Sequence, residues 1–329
     1  MAISEKVQLL GTYTNIPKVV TISSINTEDE LRYVGDESYI DLMLNDMFPK
    51  LIVEDIDYDS LLEIDFHWLC RCIRILSFGP IHSTNSIFCD NCHKTTYGEY
   101  KVNLNTVACK PIPKDAPSIY MVNRSEFLEF ESDVFFKLLT IAEANKMSQD
   151  DTFIRRNGKV DVIVGRLCYM ITAIGDRDNL KPYDVYHILK NEISSADYQL
   201  LRAVITSMSD YGLRSGGKAR CPKCHSNEAA FIALQDDRYY VRPWEIHGNG
   251  YTVSVGGVDR TYREVRQTMY ENVIDEALFI ARASESAVSA DWIMTQPILI
   301  RKKYVDSFTK ELQERERKMN KGKKGPHNK

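Results

Sequence analysis

A short knuckle occurs twice in this chain and limits its possible folds more than any other feature. It reads Cys89-Asp-Asn-Cys92-His93 in the first half and Cys221-Pro-Lys-Cys224-His225 in the second. The copies lie 132 positions apart, counted from Cys89 to Cys221. The same offset holds upstream. Asp65-Phe66 falls on Asp197-Tyr198, Leu69 on Leu201, Ile73 on Ile205 and Ser77 on Ser209. The register predicts a duplicated unit of helix, turn and C-x-x-C knuckle.

Zinc takes four soft or borderline ligands in a tetrahedron, and a tight C-x-x-C turn aims two thiolates at one point. Cys89, Cys92, Cys221 and Cys224 are therefore the candidate ligands of one structural zinc per chain. Ribbon sites usually set their halves about 15 to 20 residues apart, whereas 128 residues separate Cys92 from Cys221. A shared site requires a domain-sized insertion, with the copies meeting across a pseudo-twofold axis. Two other arrangements fit the spacing. One is a pair of local sites drawing on His93, His225, Cys109 or His82, although a histidine next to the second cysteine is poorly placed for the same metal. The other is a metal-free or redox pair, against which no thioredoxin-like βαβ pattern surrounds either knuckle. A four-cysteine zinc has no open position for water, so it holds structure and does no chemistry. Cys70, Cys72 and Cys168 lie in helical or apolar runs and read as core residues. Cys109 lies in a Pro-rich stretch and takes no assignment.

The 329 residues have room for two ordinary domains or one elaborated one. A hydrophobic share of 43% and a charged share of 27% are those of a soluble globular chain. No window approaches the apolar run of a membrane span, and the start Met1-Ala-Ile-Ser-Glu-Lys6 lacks the pattern of a signal peptide. The eight cysteines are thus expected to be reduced and intracellular, where C-x-x-C pairs favour metal. Net charge is −4 but unevenly spread. Thirteen acidic residues between Glu28 and Asp65 face only Arg32 and Lys50. Eight basic residues lie between Lys310 and Lys329. The acidic stretch argues against a nucleic-acid groove there, and the basic end reads as a solvated helix terminus, with contact to an anionic partner as the alternative.

The expected fold is α+β: a duplicated helix–knuckle–strand unit sharing one zinc, a helical insertion between the copies and a C-terminal helical arm. Residues 1–59 carry strands at Val7–Leu10 and Val19–Ile22 and an acidic helix. Thr27-x-x-Glu30 and Ser60-x-x-Glu63 read as capping boxes, Ser38 as a cap, and Pro49 as a disturbance at a helix end. Residues 60–110 hold the first repeat, a helix stopped by Gly79-Pro80, then the knuckle and a strand at Tyr97–Leu104. Residues 111–191 are a linker and helical insertion, with Phe127, Phe130, Val134, Leu138 and Ile141 on one face of a helix over 126–146. An Asn157-Gly158 turn, a buried helix over 160–174 and a short helix over 183–190 complete it. Residues 192–258 hold the second repeat, capped at Ser194 or Ser195, with a strand at Phe231–Leu234 pairing Val253–Val255 after a turn at His247–Gly250. Residues 259–321 are helices starting near Thr261 and Pro297, and 322–329 a disordered basic tail.

Catalytic patterns are missing. None of the seven histidines forms an H-E-x-x-H pair, and there is no phosphate loop or nucleophile elbow. Asp176 and Asp178 read as turn carboxylates. No small-molecule substrate is implied. Arg214, Lys218, Arg220 and Lys223 surround the second knuckle, but Asp90-Asn91 centre the first and no aromatic-basic face recurs, so nucleic acid is not the expected partner.

Several ordered stretches resemble a known family. They are Asp29-Glu-Leu31 with the helix around Tyr39–Ile52, then Asp65-Phe-His-Trp-Leu69, Arg74-Ile-Leu-Ser-Phe-Gly79 and Cys89-x-x-Cys92. Next come Ile193-Ser-Ser-Ala-Asp197-Tyr198, Tyr211-Gly212 and Cys221-Pro-Lys-Cys224, and last Ser289-Ala-Asp-Trp292 with Met294. Together, over residues 25–318, they resemble the baseplate hub assembly proteins of T-even-type contractile-tailed phages. Asp90 stands where that pattern has proline, which spares the ligands, and the chain is longer than the smaller members. The resemblance implies a non-enzymatic protein acting in the host cytoplasm during tail assembly. It would bind hub or tape-measure proteins, as a chaperone or as a lasting part of the virion baseplate. A zinc-ribbon nucleic-acid binder is the reading from another class.

Overall fold

The computed structural model describes residues 3–30, 39–89, 91–153, 161–213, 216–226, 230–233, 252–255 and 258–322. Ser38, Asn157-Gly158, His247–Gly250, Arg214 and the tail beyond Gly322 lie outside them.

The N-terminal part begins with a hairpin, β1 (Ser4–Gln8) against β2 (Val19–Ser23), in which Ser4 faces Ser23 and Gln8 faces Val19. Its alternation puts Val7, Val20 and Ile22 inward. A single helical turn follows, α1 (Thr27–Glu30). Next, α2 (Tyr39–Leu42) widens into a π turn at Met43–Met47 and continues as α3 (Phe48–Leu51). Pro49 is the second residue of α3, directly after the π turn, so the widened turn coincides with the residue that has no N–H to give.

The longest buried helix here is α4 (Glu63–Phe78), which turns Phe66, Leu69, Cys70 and Ile73 into the core. Gly79 ends it at φ +84°, and its N–H bonds back to Ile75 O. Two arginines are buried on the same face. Arg71 donates to Leu104 O at 3.1 and 2.5 Å, and Arg74 donates to Gly79 O at 3.0 Å. Each guanidinium also lies 4.9 Å over an aromatic ring, Trp68 for Arg71 and Phe78 for Arg74. After α4 come β3 (Ile81–Cys89) and β4 (Lys94–Asn103), paired antiparallel around the first knuckle, and then β5 (Cys109–Lys110).

The middle part has its own core. Strands β6 (Tyr120–Val122), β7 (Val134–Phe136) and β8 (Ile171–Ile174) form an antiparallel sheet in that order. Helices α5 (Ile141–Gln149), α6 (Val162–Met170), α7 (Pro182–Asn191) and α8 (Ser195–Met208) pack with it. The chain then forms β9 (Gly212–Leu213) on β5, followed by β10 (Gly216–Ala219) and β11 (Ala230–Ala233). A separate hairpin, β12 (Thr252–Val255) with β13 (Val258–Thr261), leads into α9 (Tyr262–Ala283), α10 (Ala290–Met294) and α11 (Ile298–Gly322). The fold is therefore α+β, a mixture of helices and small antiparallel sheets.

Several expectations need correction. The insertion between the knuckles is not purely helical: the 126–146 stretch is a loop, then β7, then the start of α5. The N–H groups of Leu128, Glu129 and Phe130 all go to Asp197, and Thr140 with Glu143 forms a capping box that starts α5 late. The apolar run 160–174 divides into α6 and β8, because β8 completes the sheet on β7. Strand β11 pairs with β10 and β3, not with 253–255, whose partner is β13. Neither sequence capping box forms. Asn26 Oδ1 takes the Asp29 N–H at 2.7 Å, leaving Glu30 to an arginine. Leu62 precedes α4, and Glu63 pairs with Arg166 at 2.6 Å. Strand β3, before the first knuckle, has no counterpart in the sequence expectation.

Candidate metal centre

Both knuckles sit at the tips of hairpins, Cys89 at the end of β3 and Cys221 just after β10. The four-stranded sheet runs β10-β11-β3-β4, so β11 and β3 join the hairpins side by side. Ala230 lies opposite Cys89 and Phe231 opposite Phe88. That register carries the two knuckles to one place across the 132-residue offset. Each knuckle closes on a residue in the left-handed region, His93 at φ 51° and His225 at φ 58°. In the second, His225 N–H bonds to Cys221 O at 2.8 Å and Cys221 N–H to Ser226 O at 3.0 Å.

All four sulfurs lie within 4.8 Å of one another. Across the knuckles, Cys89 Sγ is 3.5 Å from Cys224 Sγ, and Cys92 Sγ is 3.8 Å from Cys221 Sγ. A tetrahedron with zinc–sulfur bonds of about 2.3 Å has edges of roughly 3.8 Å, so the spacing fits one ion. Cys89 and Cys221 are fully buried, Cys92 and Cys224 half-buried. Backbone amides turned toward sulfur favour thiolate in the second knuckle. The Ser226 N–H, then the Asn91 side chain, draw the Cys224 thiol down to about 6. The Cys224 N–H, against burial, holds Cys221 below the usual thiol range. Burial and the neighbouring cysteines push Cys92 up to about 11. Crowded thiols without a cation resist sharing negative charge, and a divalent ion removes that resistance.

Among the described residues, these four cysteines are the one group placed to hold a metal. The two-site arrangement is overturned, since the knuckles share one cluster while His93 and His225 point outward as exposed residues. Cys109 lies half-buried in β5, outside the cluster. Arg220 and Lys223 are exposed, and Lys223 Nζ reaches Thr95 O at 3.4 Å. Compared with family models, characterised proteins and solved structures, the chain matches none. The chemistry of the site is therefore argued from the donor set: four tetrahedral sulfurs suit zinc, with iron the other metal of that geometry. Among the described residues no helix is long and apolar enough to cross a membrane.

Two further residues at the same offset escape any motif search. Asp65 is fully buried in the first turn of α4 and accepts from Leu10 N–H at 2.6 Å, Gly11 N–H at 2.9 Å and Tyr13 O–H at 2.5 Å. A side chain on Gly11 would strike the Asp65 carboxylate at 2.8 Å, so the approach needs glycine. Asp197, buried in the first turn of α8, accepts from Leu128 N–H at 2.7 Å and from Glu129 and Phe130 N–H at 3.0 Å each. Each aspartate thus grips the loop of a preceding hairpin. The only sequence signal for this role is their matched position.

Their titrations oppose each other. Burial raises Asp65 above the ordinary aspartate range despite its three hydrogen bonds. Burial also acts on Asp197, but the amides of Leu128, Glu129 and Phe130 and the Ser194 hydroxyl outweigh it and hold the carboxyl low. With the folded value depressed, the stability contributed by Asp197 is present above the unfolded value and lost as pH falls through the folded one. With the folded value raised, the contribution of Asp65 is present in acid and lost as pH rises through the folded value. In urea titrations across about pH 3 to 7, Asp197→Asn should flatten the acid-side loss and Asp65→Asn should steepen it. Equal slopes in the two variants would contradict the assignment.

Proposed function

We propose that this chain is a non-enzymatic assembly protein of a phage baseplate hub, built as an internal duplication clasped by one zinc. The observation that carries the reading is the ordered set of motifs resembling hub assembly proteins of T-even-type phages. The duplication is supported by parallel geometry. In each half a hairpin, β1–β2 or β6–β7, offers its loop amides to an aspartate in the first turn of a helix. Each helix is followed by a glycine at positive φ, Gly79 or Gly212, and then a C-x-x-C knuckle ending in a left-handed histidine. First cysteine meets second cysteine in both cross-knuckle contacts, as a pseudo-twofold axis requires. On this reading the repeat begins at the hairpins, earlier than the helices.

The zinc closes its own shell and leaves nothing for a substrate, so function falls to surfaces that bind protein. The protein acts in the host cytoplasm on hub or tape-measure proteins. Purification of the tagged full chain from infected cells should bring down hub or tape-measure proteins. Particles purified to completion should lack the chain if it is a chaperone and hold it if it is a baseplate component. Salt-dependent nucleic-acid binding that weakens on neutralising Arg214, Lys218, Arg220 and Lys223, with no tail protein retained, would overturn the proposal.

A further inference from the structure

Helix α11 carries a seam that the described residues of its own chain cover over only half its length. Ile298, Arg301, Val305, Phe308, Leu312, Arg315 and Met319 recur at alternating steps of three and four, the spacing of a heptad stripe. In the first half, Ile298 is buried in the N-terminal core. Arg301 sits between Glu30 of α1 at 2.7 Å and Glu276 of α9 at 2.8 Å. Val305 and Phe308 pack on Ala277, Ile280 and Ile293 of α9 and α10. From Thr309 to Met319 every residue is exposed. Leu312 is 44% and Met319 63% accessible, and Arg315 pairs with Glu311 of its own helix.

The seam therefore repeats its chemistry, apolar then arginine then apolar, where no described residue lies on it. Its covered half shows what that chemistry packs against: helices offering apolar side chains at two levels and a carboxylate at the arginine level. We propose that the exposed half of α11 docks an acidic amphipathic helix of a partner protein, continuing the interface that α1 and α9 make with the covered half. A second copy of α11 is a poorer occupant, because in-register pairing sets Arg315 against Arg315 with no carboxylate in the stripe. Lys310, Arg315, Arg317 and Lys318 outnumber the equally exposed Glu311, Glu314 and Glu316 by one, so the preference for an acidic partner rests on the Arg315 level of the stripe, where a partner carboxylate would compete with Glu311. The inference rests on the protein-binding reading above and holds whether or not the partner is a hub protein.

The test uses the full chain and two synthetic helical peptides of about four heptads, identical except for Glu or Lys at the level facing Arg315. Fluorescence anisotropy should show the Glu peptide bound about tenfold more tightly. Arg315→Glu should reverse that order, and Leu312→Asp with Met319→Asp should abolish binding of both while the circular dichroism stays unchanged. Binding of neither peptide, or an order unchanged by Arg315→Glu, overturns the proposal. So does a wild-type dimer in sedimentation that the double variant dissolves, which would assign the strip to a second copy. Hub proteins failing to co-purify from infected cells while the peptide results hold would overturn the hub assignment alone.

Discussion

Replacing Cys221 with serine is expected to take bound zinc from about one per chain to nearly none, and the cooperative folding of the N-terminal core with it. A serine hydroxyl does not ionise in the range where a thiol does, so the tetrahedron loses one anionic corner. The three sulfurs left no longer close a shell of four ligands. Among the described residues the hairpins are joined by the β11–β3 pairs Ala230–Cys89 and Phe231–Phe88, by the two-residue β5–β9 pairing and by the Lys223–Thr95 contact. Structural zinc supplies apparent binding energies of about 10–16 kcal/mol in small zinc peptides, and whole domains are stable by about 5–15 kcal/mol. Even part of that loss exceeds what the joint can absorb. Cys89 and Cys221 belong to the core that contains Phe48, Phe66 and Leu69. None of the four cysteines belongs to the core around Phe136, Leu167 and Leu201. Calorimetry of Cys221→Ser should therefore lose one transition and keep another. Metal analysis giving two zincs per wild-type chain, or an intact melt in the variant, would defeat the shared clasp.

The four-cysteine cluster was legible because C-x-x-C spacing fixes geometry locally and the two knuckles share one pattern. Helices α8 and α11 were legible for a similar reason, with Ser194 and Pro297 marking their starts, and α7 was legible over 183–190, though Pro182 opens it as its first residue. What stayed hidden is what distant residues decide. Phe127, Phe130, Val134, Leu138 and Ile141 keep helical spacing, and yet Asp197 claims the amides that a helix there would use. Strand β3 is largely polar, and its alternation is too faint to declare a strand. Glu30 sits where a capping box wants an acid, and a residue 271 positions later takes it instead. Arg71 and Arg74 sit in the first core because Leu104 and Gly79 carbonyls receive them, which no local pattern announces.

Arg301→Ala is expected to cost about 3–5 kcal/mol, since it leaves a buried carboxylate without its partner. Arg301 and Glu30 are each only 3% exposed at the side chain, while Glu276 is 38% exposed. Glu276 can turn to water when the arginine goes, but Glu30 cannot. Burial already raises the Glu30 carboxyl, and the Arg301 charge and hydrogen bond are what oppose that rise. Without Arg301 only the more distant Lys302 charge still opposes burial and the neighbouring Glu276, so the Glu30 carboxyl is driven further up and takes up a proton more readily in the folded variant. A folded value raised in this way gives stability that is present in acid and lost as pH rises through it. The deficit of Arg301→Ala against wild type should therefore shrink as pH falls. Urea unfolding of Arg301→Ala, Glu30→Gln and the double variant separates the terms. The double variant should lose less than the sum of the singles, by about 0.5–3 kcal/mol. Additive losses, or a single-variant cost below about 1 kcal/mol at neutral pH, would refute the coupling. The coupling matters because the same place pins the arm to the N-terminal part: Thr27 N–H bonds to Gln296 O at 2.9 Å, and Asn26 bridges Pro297. These neutral bonds lie at the root of α11, beside buried Ile298. The ion pair one turn further along, with Val305 and Phe308 packed on α9 and α10, fixes the rotation and so the side on which Leu312, Arg315 and Met319 face.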